Sequence, residues 1–94
     1  MVLKPIFENI LTDCCNAFEV LPDDVLSDCR KQELVYTRMA FVIIIKEKFD
    51  LSNQKIGDFL NRKHNDIHYL YKKQETNKYF NLVLNALREK CKEY

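Results

Sequence analysis

Glycine is almost absent from this 94-residue chain: Gly57 stands alone, and there are only two prolines, Pro5 and Pro22. A small all-β domain needs frequent turns, and turns draw on Gly, Pro, Asn and Asp because these residues tolerate or preset the required dihedrals. The shortage argues against a sandwich or barrel and for helices joined by short polar loops. No C-x-x-C pair occurs among Cys14, Cys15, Cys29 and Cys91, so a zinc or redox motif is not expected. These cysteines read as reduced thiols of a cytoplasmic protein, most of them acting as small apolar side chains. The longest apolar run, Met39–Ile45, has seven residues, whereas crossing a bilayer takes about 20. Nor does a secretory leader show, since Met1–Lys4 runs directly into an amphipathic segment. A nucleotide-binding P-loop needs two glycines. With one glycine no nucleotide is expected, and no third group is evident to orient a Cys–His pair, so neither another cofactor nor enzymatic activity is expected.

The net charge of +1 hides an uneven distribution. Residues 1–29 hold Lys4 as their only basic side chain against six acids, and the other fourteen lysines and arginines all lie in residues 30–94. That division fits a basic face with an acidic back. Apolar residues recur at helical spacing in Ile6, Ile10, Leu11, Cys14 and Phe18, which predicts a first helix starting at Pro5 and ending near Glu19. Pro22–Ser27 reads as a short helical turn. From about Lys31 to Phe49 nothing resembles a turn, so Leu34, Val35, Arg38, Val42, Ile45 and Phe49 are placed on one long helix. Phe41, Ile43 and Ile44 fill its other faces, which makes it the central helix of the domain. Ser52 is a good N-cap for a short helix over Asn53–Leu60, and Asn61 can take the left-handed conformation that ends it. A further helix is expected from about Lys63 to Glu75. Thr76 or Asn77 would cap the last one, whose buried stripe is Phe80, Val83, Leu84, Leu87 and Cys91.

The segment 52–75 therefore has the form of a helix-turn-helix. Gly57 lies mid-helix, where it costs about 1 kcal/mol relative to alanine. The lack of a Cβ there would let the following helix cross close over the first, with Ile56, Leu60, Ile67 and Leu70 sealing the two together. If Ile67, Leu70, Tyr71 and Gln74 face inward, the opposite face carries Asn65, Tyr69, Lys72 and Thr76. Asp66 and Lys73 then flank it on one side and His68 on the other, with Arg62 and Lys63 at the N-terminal entrance. Such a polar, basic face suits a major groove.

Ile56-Gly57-Asp58, followed by Asn61-Arg62-Lys63-His64-Asn65-Asp66-Ile67, resembles the signature of the C-terminal DNA-binding domain of the bacterial replication initiator DnaA. Asp24-Val25-Leu26-Ser27 is similar to the D-L-L-S that precedes that family's basic loop, and Arg38 falls at its R-Q position. The resemblance covers roughly residues 5–90. It implies an all-α, Trp-repressor-like fold of five to six helices, a single domain over residues 1–94, and double-stranded DNA as partner. It also implies that the loop 28–33 lies near the minor groove, with Arg30 and Lys31, and that Arg38 contacts the backbone or a base. Arg62, Lys63, His64, Asn65 and Asp66 would enter the major groove, joined by Tyr69. The chain departs from the pattern at Lys63, where the family has Asp, and at Asn65 and Asp66, where it has Ser or Thr. Asn can pair with adenine, and Asp can accept from cytosine although it repels phosphate. Asp28 and Glu33 make the loop less basic than the family's.

His64 and His68 have the spacing of zinc ligands, yet no third ligand is suitably spaced, so metal binding is not expected. The main alternative is a protein-interaction domain that keeps the helical scaffold without reading DNA. A homodimer with two recognition helices about 34 Å apart on a palindrome is a further arrangement the sequence leaves open.

Overall fold

The computed structural model describes residues 4–72 and 77–93. Six α-helices follow one another: α1 Lys4–Phe18, α2 Pro22–Val25, α3 Gln32–Lys48, α4 Asn53–Leu60, α5 His64–Lys72 and α6 Lys78–Lys90, with a 3-10 turn at Cys91–Glu93. No strand occurs among the described residues. The final residues expected in the fifth helix, Lys73–Glu75, and Thr76 lie outside them.

α3 is the axis of the fold. Leu34, Thr37 and every residue from Arg38 to Val42 are buried, as are Ile44 and Ile45. Its neighbours α1, α2, α5 and α6 all pack against it, which a helix apolar on several faces requires. Two aromatic groups hold the ends. Phe7 of α1 meets Phe41 of α3 at 6.3 Å, Phe49 at 5.8 Å and Phe59 of α4 at 5.4 Å between ring centroids. At the opposite end Phe18 stacks on Phe80 at 6.2 Å, and Tyr36 lies 5.2 Å from the same ring. Each pair adds about 0.5–1.5 kcal/mol beyond the area it buries. Arg88 of α6 forks onto Glu47 of α3 at 3.0 and 2.7 Å. That pair is surface-exposed, so it contributes little beside the apolar stripe Phe80, Leu84, Leu87 and Cys91.

The helix ends follow the local chemistry. Ser52 Oγ accepts from Lys55 N–H at 3.3 Å, and Asn77 Oδ1 accepts from Phe80 N–H at 3.2 Å. Asn77, not Thr76, is thus the cap of α6. Glu19 and Asn61 are the two described non-glycine residues with positive φ, at 57° and 58°. Each ends a helix by letting the next N–H reach five residues back, Val20 to Cys15 at 3.0 Å and Arg62 to Gly57 at 2.8 Å.

That second return explains the lone glycine. The chain folds back under α4 so tightly that a Cβ on Gly57 would collide with the carbonyl oxygen of Arg62 and touch Ile67 Cγ1 at 3.4 Å. The turn's own backbone, more than the crossing helix, fills the space a side chain would need. Ile56, Leu60, Ile67 and Leu70 are all buried between α4 and α5. Tyr71 departs from the expected inward set. It is 44% exposed, with Lys46 Nζ 4.9 Å from its ring centre, so this tyrosine covers the outside of α3.

Three of the four cysteines are buried and Cys29 is exposed. Burial, with Cys91, Cys15 and Asp13 nearby, pushes the Cys14 thiol well up, burial alone pushes Cys15 to about 11, and burial also raises Cys91. Since the thiolate is the reacting species, native protein at pH 8 is expected to show one fast thiol to an aromatic disulfide reagent, against four in denaturant. Two or more fast thiols would contradict the packing of α1 against α6. Gly57→Ala would gain about 1 kcal/mol in an open helix. Here it is expected to lose about 1–3 kcal/mol, because a backbone carbonyl must shift. Urea unfolding reads the sign.

Candidate nucleic-acid interface

The segment joining α2 to α3 is built by hydrogen bonds to its own backbone. Ser27 Oγ donates to Asp24 O at 2.6 Å and accepts from Cys29 N–H at 3.2 Å, which turns the chain outward at Cys29. Arg30 and Lys31 follow, both exposed, and the carbonyl of Lys31 starts α3 by accepting from Leu34 and Val35 N–H at 3.0 Å.

Arg38 lies under this segment. It is 3% exposed, and its guanidinium donates through Nε to Val25 O at 2.9 Å and through Nη2 to Asp24 O at 3.2 Å and Ser27 O at 2.9 Å. Asp24 and Val25 are the last residues of α2, a helix too short to satisfy its own terminal carbonyls. A cation at the carbonyl end of a helix is also favoured by the helix dipole. Burial, and then the charge of Arg62, lower the proton affinity of Arg38, yet a guanidinium remains charged at any physiological pH. Three carbonyls of the chain thus hold the Nε and Nη2 donors of Arg38, which positions the loop while the residue still lines the cleft beside Arg62.

Arg62 reaches the same place from the other side. Its Nη2 donates to the Ser27 carbonyl, so that one oxygen accepts from two guanidiniums, one on α3 and one in the helix-turn-helix. Arg62 Nε is buried with no hydrogen-bond partner among the described residues. The entrance to α5 is thereby tied to the loop before α3, although 35 residues separate Ser27 from Arg62. Arg30, Val35, Arg38, Arg62, Asp66, Tyr69 and Leu70 line the resulting cleft of about 130 Å³.

On α5, Ile67 and Leu70 are buried, while Lys63 just before it and His64, Asn65, Asp66, His68, Tyr69 and Lys72 are exposed. Tyr69 is 62% exposed. Of the residues named from the sequence, the structure brings Arg62, Lys63, His64, Asn65, Asp66, Tyr69 and Lys72 onto or beside one helix and places Arg30 on the same cleft. Lys73 lies outside the described residues. A larger depression of about 770 Å³ between α1, α2 and α4 contains Glu8 and Asp58 and no cation, which suits a polyanion poorly. Sequence reasoning missed the Ser27 carbonyl, because a backbone acceptor leaves no mark on residue identity. The sole signal was Arg38, which helix spacing placed on the apolar period of the long helix.

A closely packed two-helix unit, a glycine-dependent turn and a polar outward helix with Arg62 and Lys63 at its entrance define the class: a helix-turn-helix domain of the DNA-binding type. A family model described as the bacterial DnaA protein helix-turn-helix matches residues 7–73. The chain belongs to that family. It is 36% identical over 58 residues to the chromosomal replication initiator protein DnaA of Mycoplasma pneumoniae, and 33% identical over 58 residues to the protein of the same name from Mycoplasma genitalium. In each case the alignment covers 62% of this chain and 13% of the relative, so the chain corresponds to a small part of those proteins.

Arg38→Met is expected to lose at least about 2 kcal/mol of unfolding free energy, since the buried Val25 carbonyl loses its donor while those of Asp24 and Ser27 keep Ser27 Oγ and Arg62. Arg38→Lys should recover only part of it, because one ammonium cannot reproduce the spread of a guanidinium. A loss below about 0.5 kcal/mol in urea titrations would show that these carbonyls find other donors.

Proposed function

We propose that this chain binds double-stranded DNA with α5 in the major groove and the loop 28–33 near the minor groove. The observation that carries this reading is the shared Ser27 carbonyl: it holds the basic loop and the entrance of α5 at one fixed separation, as simultaneous contact with two neighbouring grooves demands. Lys63, His64, Asn65, Asp66, Tyr69 and Lys72 would face base edges and flanking phosphates, Lys73 would extend that row, and Arg30 and Lys31 would serve the minor groove. Arg62 would steer the helix entrance. No helix among the described residues is long and apolar enough to cross a membrane, and we place the protein in the cytoplasm. On this reading it catalyses no reaction and binds no nucleotide itself. It supplies the DNA-reading step of a replication-initiator type of protein, alone or as a homodimer.

Binding to labelled duplex should weaken steeply with salt, because each neutralised phosphate releases counterions. For about five phosphate contacts the plot of log K against log salt has a slope near roughly −4.5. Lys63→Ala with Lys72→Ala should weaken binding across all sequences and flatten that slope by about 2. Absence of duplex binding even at low salt would sink the reading and leave the helical scaffold as a protein-interaction domain.

A further inference from the structure

We propose that Asp66 is a specificity-determining residue that makes this domain select a cytosine in the major groove, an inference that rests on the DNA-binding reading above. Asp66 is exposed in the first turn of α5 and takes part in none of the ion pairs between described residues. It nevertheless shares a cleft of about 130 Å³ with Arg30, Arg38 and Arg62. A carboxylate so placed approaches a phosphate-lined groove less unfavourably than an isolated one, because the neighbouring guanidiniums offset its repulsion.

An ionised carboxylate can only accept hydrogen bonds. In the major groove guanine offers N7 and O6, and thymine offers O4; all are acceptors that repel it. Adenine offers its N6 amino group beside the N7 acceptor, so one carboxylate oxygen gains a partner while the other meets a lone pair. Cytosine offers the N4 amino group with no acceptor at its major-groove edge. The donor pattern therefore favours cytosine. Tyr69, one helical turn further along, lines the same cleft.

The test is selection from a random duplex pool by the full chain and by Asp66→Ala and Asp66→Asn, with circular dichroism confirming that both variants keep their helices. The wild-type motif should contain one invariant C·G position, preferred over other pairs by about tenfold or more. Asp66→Ala should lose that preference while binding non-specific duplex more tightly. Asp66→Asn should move it towards adenine, which an amide can pair bidentately. If Asp66→Ala binds more tightly yet selects the same motif, the carboxylate is merely repulsive and the proposal falls while DNA binding stands. If the wild-type chain selects no duplex at low salt, the DNA-binding reading falls and the proposal with it.

Discussion

One backbone oxygen, the carbonyl of Ser27, organises the functional half of this molecule. It accepts from Arg38, rooted in the central helix, and from Arg62, at the mouth of the recognition helix. Two positive groups converging on one acceptor repel each other, and burial, followed by the charge of Arg62, lowers the proton affinity of Arg38. The arrangement holds because each guanidinium is otherwise anchored. Arg38 is fixed by the carbonyls at the end of α2. Arg62 is fixed by a backbone that the return to Gly57 leaves little freedom to move. Loop and recognition helix therefore cannot shift independently without breaking charge-assisted hydrogen bonds, which are roughly twice as strong as neutral ones.

Gly57 is the second half of the same constraint. The Arg62 carbonyl occupies the space of its missing side chain, and the Arg62 N–H bonds to its carbonyl at 2.8 Å. Both backbone polar groups of Arg62 are thus fixed against one glycine while its side chain is fixed against Ser27. The packing of α4 on α5, the direction of Arg62 and the position of the loop before α3 become one geometric problem with one solution. Apolar packing of Ile56, Leu60, Ile67 and Leu70 supplies the driving force. The polar contacts select which of several compact arrangements it stabilises.

The helical order, the caps at Ser52 and Asn77, the left-handed Asn61 and the significance of Gly57 were legible because each depends on residues adjacent in sequence. Period and capping chemistry are local rules, and α4 came out at Asn53–Leu60 as read. The outward face of α5 was legible for the same reason, since Ile67 and Leu70 set its orientation. What escaped was whatever depends on a distant backbone atom. Arg38 looked like a DNA contact because it sits at the family's R-Q position, but identity at a position does not reveal that three carbonyls from another segment surround it. Tyr71 looked buried by period, and Lys46 across the groove provided an alternative on the surface. Tyr71 is an amphipathic side chain, whose apolar and polar parts satisfy helical spacing equally well in two environments.

The uneven charge distribution acquires a physical meaning once the fold is in place. Of the acids in the first 29 residues, Asp24 and Asp28 lie beside Arg38, whereas Glu8 borders the larger depression together with Asp58 of α4. A polyanion approaching that side meets like charge, and one approaching α5 meets Lys63, Lys72 and the arginines. Local charge of this kind orients a weakly charged protein on DNA before any base is touched, within a Debye length of about 10 Å. A net charge of +1 is then no obstacle. It limits the non-specific attraction that a uniformly basic domain would show, and it shifts the burden of affinity onto the few contacts that the Ser27 tether holds in register.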